Sequence, residues 1–142
     1  MRVVIFAFIL IFNSSVAFSQ HHIEEIVGTW VSQRGALYES DGSNFVCVYI
    51  PKQHMEKYKH WLNKNRLTDF QRTKNGLVAS QYLRKKNGET SKVAATIELK
   101  ARLMILRYKI PSREKPVKVI LNKVSTDAHN KPLKNGRLTA TL

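Results

Sequence analysis

The sequence predicts a mainly β fold, an antiparallel meander forming a small barrel or sandwich with one short α-helix. Three observations lead there. Val93, Ala95, Ile97 and Leu99 alternate with Ala94, Thr96, Glu98 and Lys100, the two-residue period of a strand with one buried and one wet face. Lys-Asn-Gly recurs at 74–76, 86–88 and 134–136, and Asn-Gly supplies positive φ angles for tight turns, so Asn87-Gly88 predicts a type I′ hairpin. Only Lys52–Asn63 changes to a spacing of three and four residues, the helical period. The three turns are unequally spaced and their flanks differ, which argues reused turn chemistry and not a repeat architecture.

The chain opens on a leader rather than on the fold. Arg2 precedes an apolar run, Val3–Phe12, and Ala17-Phe18-Ser19 has the small-x-small form of a cleavage site. A signal peptide spanning 1–19, cut between Ser19 and Gln20, predicts a secreted or periplasmic protein. The apolar run is about half the length a bilayer span requires, and no later segment is longer. The remainder suits one domain with a modest core.

Within that domain, expected to cover 20–125, Ile26–Val31 reads as a first strand carrying Gly28 and the large Trp30. Gly35 and Ser40–Ser43 are turn chemistry around a short strand at Ala36–Glu39. Phe45–Ile50 is an apolar strand, and Pro51 ends it and opens the helix. On that helix Met55, Tyr58, Trp61 and Leu62 form one stripe, placed to cap the end of a β-structure or to lie in a lipid interface. Arg66–Thr73 is a strand, the meander follows to Ile110, and Val117–Val124 is the last strand before a loosely ordered tail at 126–142.

Charge is the strongest compositional signal. Lys and Arg number 24 against 10 Asp and Glu, and removing Arg2 with the leader changes this little. Such a field draws anions: an acidic partner protein or an anionic envelope surface. The cations expected to meet one are Lys52, Lys57, Lys59, Lys64, Arg84, Lys85 and Lys86. Tyr82 with Arg84, and Arg102 with Tyr108, would place aromatics beside cations as single-strand nucleic-acid binders do. Met104 and Leu106 share the second face, which is core chemistry, and a secretory address points away from nucleic acid.

Catalytic and metal-binding signals are weak. Cys47 is the sole cysteine, so no internal disulfide forms, and its apolar neighbours predict a buried small hydrophobe. A start at Gln20-His21-His22 has the form of a square-planar copper or nickel site, but it needs a free amine that an N-terminal glutamine readily loses by cyclising. Glu56 and His60 are four apart and within reach on a helix, yet no nucleophile accompanies them. His54 and His60 fall on different faces, and His129 lies in the tail. The acids are scattered, without a pair for glycoside chemistry, and no phosphate loop is present. The expectation is a non-enzymatic protein with no cofactor and no metal.

Ile26-Val27-Gly28-Thr29-Trp30 resembles the opening strand of the lipocalin-like (calycin) proteins, where the tryptophan of Gly-x-Trp closes one end of an antiparallel barrel. Thr68-Asp69-Phe70 is similar to a second family motif, but too many strands follow it, and it is read as coincidence. The resemblance implies a basic residue from the last strands on the tryptophan, Arg107 or Lys123 here. It also implies a binding module for a small apolar or amphipathic ligand, with Trp30, Cys47, Val93, Ala95, Ile97 and Met104 lining the interior. The chain is short for eight strands, so a seven-stranded open barrel or a sandwich is an equal expectation, and so small a barrel can be filled by its own side chains.

Overall fold

The computed structural model describes residues 22–125. Residues 1–21 and 126–142, where a cleaved leader, the Gln20-His21 start and a loose tail are expected, lie outside the described residues. Eight strands run in chain order: β1 (Gly28–Ser32), β2 (Leu37–Ser40), β3 (Phe45–Tyr49), β4 (Asn65–Thr73), β5 (Gly76–Arg84), β6 (Thr90–Lys100), β7 (Leu103–Tyr108) and β8 (Val117–Ser125). Each pairs antiparallel with its sequence neighbour, and β1 pairs with β8 to close the barrel. Closure corrects the sandwich and seven-stranded expectations. It also removes the free strand edges that an open sheet would have to protect.

The period-two reading holds in the centre of the meander. Ala95 and Ile97 are buried and Ala94 and Thr96 exposed on β6, while Leu77, Ala79 and Gln81 are buried on its partner β5. Three local expectations change. Ile26 belongs to a 3-10 turn, Glu24–Ile26, so the first strand starts only at Gly28. The helix, α1 (Lys52–Tyr58), continues as a 3-10 turn over Lys59–Trp61 and stops before Asn63, whose φ of 58° no helix accommodates. The β5–β6 turn is not type I′. The Gly88 amide donates to the Lys85 carbonyl (3.0 Å) and the Lys85 amide to that of Glu89 (2.9 Å). Of Asn87 and Gly88 only the glycine has positive φ, 91°, as a three-residue loop ending in a glycine bulge requires.

Bulges shape the barrel further. Phe45 pairs with Leu67 but Val46 with Asn65, leaving Arg66 as the extra residue. Likewise Val48 is extra between β2 and β3, and Val124 between β1 and β8. In β4 the register slips by one between Thr68 and Gln71, where Asp69 takes a φ of 56°. A bulge bends its strand and re-aims a side chain, and each of these displaces the strict alternation read from sequence.

One end of the barrel is shut. Ile23 and Ile26 of the leading turn are buried beside Trp30, whose indole N–H donates to the Ile26 carbonyl at 2.8 Å. Lys123 of β8 lies over the Trp30 ring, 5.2 Å from its centroid. Phe45, Leu67, Phe70, Met104, Leu106 and Leu121 continue the packing upward. The opposite end carries the helix and remains open.

Candidate ligand-binding site

The open end holds a cavity of about 520 Å³, within the range of small-molecule sites. Its wall combines aliphatic groups (Ile50, Ile110, Val119) with the aromatic rings of Tyr38, Tyr58, Trp61 and Tyr108. Among the described residues five cations also reach it, Arg34, Lys57, Arg66, Arg113 and Lys118, and no Asp or Glu does. The helix forms one side. It buries no residue fully, but Met55, Tyr58, Trp61 and Leu62 pack against the core, which is the capping role the stripe predicts. Across the mouth Arg34 donates to the Tyr58 hydroxyl and lies over its ring.

Arg66 organises the inner part of this site. The bulge between β3 and β4 makes it the unpaired residue of its strand, and its side chain joins the cavity wall. One terminal nitrogen donates to the Tyr38 hydroxyl at 2.5 Å, and the guanidinium lies 5.2 Å from the Tyr38 ring centroid and 6.0 Å from that of Trp61. Its Nε–H is buried without a hydrogen-bond acceptor. Burial opposes the charge, while the hydrogen bond accepted by the Tyr38 hydroxyl favours it. Burial also raises the Tyr38 hydroxyl above its ordinary value, so at neutral pH the phenol is uncharged. A buried guanidinium without a carboxylate is costly, and its planar fork matches the geometry of a carboxylate or phosphate.

Of the residues expected to line the interior, Cys47 lies in the cavity wall. Trp30, Ala95, Ile97 and Met104 are instead packed within the core, and Val93 is half-buried outside the cavity lining. Burial raises the Cys47 thiol to about 11, the direction opposite to that of an activated nucleophile. The seven cations expected to meet an anion all lie at the mouth end, on the helix, just after it, or in and beside the β5–β6 turn. Arg84 is partly withdrawn, held between Trp61 (5.7 Å) and Tyr82 (4.9 Å) with its Nε–H also unpartnered.

The Glu56–His60 pair does not form. Glu56 faces Lys59 at 3.5 Å, because the last turn tightens to 3-10 and carries His60 toward Trp61, 6.0 Å between centroids. His54 does meet Tyr58, edge to face at 6.3 Å. His22 is exposed and bonded to Glu24 at 2.7 Å. No group of three or more metal-ligating side chains occurs among the described residues, and no described helix is long and apolar enough to cross a membrane.

Tyr38, Tyr108 and Arg66 are the inner residues that sequence reasoning missed as a set. Tyr38 sits in a four-residue strand and Arg66 on a bulge, so no alternation marks either as inward. A scan of protein-family models returns no match to the chain, and no curated protein or solved structure matches it.

Proposed function

We propose that this protein is a lipocalin-like binding protein acting outside the cytoplasm, and that it carries a small amphipathic molecule with an acidic head. The observation that carries the reading is Arg66. Among the described residues it is a guanidinium with no acidic partner, at the inner part of a cavity whose described wall contains no carboxylate. The aliphatic and aromatic wall suits an apolar body, and Arg66 with the Tyr38 hydroxyl suits a carboxylate or phosphate. The Gly-x-Trp strand, the closed antiparallel barrel and Lys123 over Trp30 support the family likeness. The leader-like start supports the compartment.

Binding, and not catalysis, is the activity proposed. Among the described residues the cavity wall offers His54 no carboxylate to orient it, and the Cys47 thiol is held protonated. The test is displacement of a fluorescent long-chain carboxylate, followed with the matched alcohol and the matched hydrocarbon as competitors. Carboxylate binding stronger than alcohol by about tenfold is expected, the scale of one charge-assisted hydrogen bond. Equal affinity for acid and alcohol removes Arg66 as the head-group site, and failure of all three probes to bind removes the carrier reading.

A further inference from the structure

The charge of this protein is not spread evenly over its barrel. The connections at the mouth are residues 33–36, 50–64, 85–89 and 109–116, and those at the shut end are 22–27, 41–44, 74–75 and 101–102. The mouth connections carry ten Lys or Arg against three acids, Glu56, Glu89 and Glu114. The shut-end connections carry two, Lys74 and Arg102, against Glu24, Glu25 and Asp41. All ten mouth cations are exposed. Two are engaged locally, Lys85 with Glu89 at 2.6 Å and Lys59 with Glu56 at 3.5 Å. The others have no described ion pair, whereas most of the acids nearer the shut end or on the wall are occupied, Glu25 by Arg72 and Glu98 by Lys100 and Arg107.

We propose that this collar of cations docks the barrel, mouth down, on a bilayer bearing anionic lipid head groups. Charge complementarity is the first ground, since exposed lysines and arginines near an anionic leaflet each add attraction within a Debye length. Geometry is the second. The cations come from four separate connections around one rim, so they meet a flat field of many phosphates together, whereas an acidic protein would have to offer a matching ring. The third is the helix with the 3-10 turn that continues it, which together carry the half-buried rings of Tyr58 and Trp61 beside the exposed Lys57 and Lys59, the pairing that suits the bilayer interface. Docked this way the cavity would open toward the lipid. The docking does not rest on the carrier reading, because the collar is present whatever the cavity holds.

The experiment is co-sedimentation with vesicles, using protein expressed with its own N-terminal segment and processed by the cell. Vesicles of phosphatidylcholine alone are compared with vesicles containing phosphatidylglycerol. Two variants with the same net charge are compared on the second: Lys86→Glu with Lys115→Glu at the mouth, neither of which lines the cavity, and Lys74→Glu with Lys100→Glu away from it. Binding to the anionic vesicles only, reduced about tenfold or more by the mouth pair and little by the other, is expected. Equal loss in both variants overturns the oriented collar. Failure to bind anionic vesicles, or equal binding to neutral ones, overturns the proposal, and an acidic protein then becomes the partner class to seek. The mouth pair lies outside the Arg66–Tyr38 contact, so carboxylate binding in solution persists in it whichever way the vesicle result falls.

Discussion

The Lys123 ammonium sits 5.2 Å from the centre of the Trp30 ring and donates to the Glu25 carbonyl at 3.1 Å. One side chain from the last strand thereby ties down both the plug of the barrel and the turn that precedes the first strand. The bulge that makes Val124 an extra residue is next to it, bringing Lys123 opposite Trp30 in the β1–β8 ladder. Barrel closure and end closure therefore share one position.

Replacing Lys123 by Met keeps the apolar stem and removes the charge. The loss expected in chemical denaturation is about 1 kcal/mol, the scale of a partly exposed cation over an aromatic ring. Trp30→Ala is expected to cost more, about 3–5 kcal/mol, because it empties a fully buried site and also orphans the Ile26 carbonyl. In a double-mutant cycle the two changes should be strongly non-additive. Additivity would mean that the ammonium does not act on the ring.

Arg66→Met is expected to move stability and binding in opposite directions. Replacing a half-buried charge that has no carboxylate partner among the described residues with an apolar side chain of similar reach is expected to be neutral or stabilising, by up to about 2 kcal/mol. The same change removes the donor for an acidic head, so carboxylate affinity falls about tenfold or more. Urea denaturation and probe displacement on one preparation decide it. A variant that loses stability and keeps affinity would make Arg66 a structural residue.

Much of this fold is legible in the sequence, and the illegible part has a common cause. The β6 alternation, the Gly-x-Trp strand and the period change at the helix each follow from local spacing, and each appears in the structure. Pairing of β1 with β8 joins segments nearly a hundred residues apart, and no local pattern encodes it. Arg66 and Asp69 sit at or next to bulges, where an extra residue changes which way a side chain faces. Leu67 and Phe70 are the buried apolar positions of that strand, and neither marks Arg66 as facing the cavity. The basic surface is visible in composition, but its concentration at one end needs the up-and-down topology to place the loops.

Cys47 gives a chemical readout of the cavity. With a thiol held at about 11 by burial, about one molecule in a thousand is thiolate at pH 8, against about one in four for an ordinary cysteine. Alkylation by iodoacetamide should therefore run at least a hundredfold slower than in urea, and rise about tenfold per pH unit up to the folded value. Because the fold favours the neutral thiol, its contribution to stability is complete below the unfolded value. It declines as pH rises from there toward 11. A saturating carboxylate ligand should slow alkylation further, since Cys47 lies in the cavity wall. Ordinary reactivity at pH 8 would show that the wall is open there.

Gly76 and Gly88 both occupy positive φ in Lys-Asn-Gly turns, yet alanine should be tolerated differently at the two. At Gly88 (φ 91°) a β-carbon would meet nothing within 4 Å, so the cost is that of the backbone alone, about 1 kcal/mol. At Gly76 (φ 137°) the same atom would approach the Ile97 carbonyl at 3.0 Å. That carbonyl belongs to β6, which is paired on both sides, to β5 and to β7, and backbone so held has little room to retreat. Gly76→Ala is thus expected to destabilise by clearly more than Gly88→Ala, with a loss of about 2 kcal/mol or above, the backbone term plus overpacking. Thermal or urea unfolding of the two variants side by side measures the difference. Equal losses would mean that the β4–β5 turn shifts away from β6 and relieves the contact, leaving the two turns equivalent despite their different surroundings.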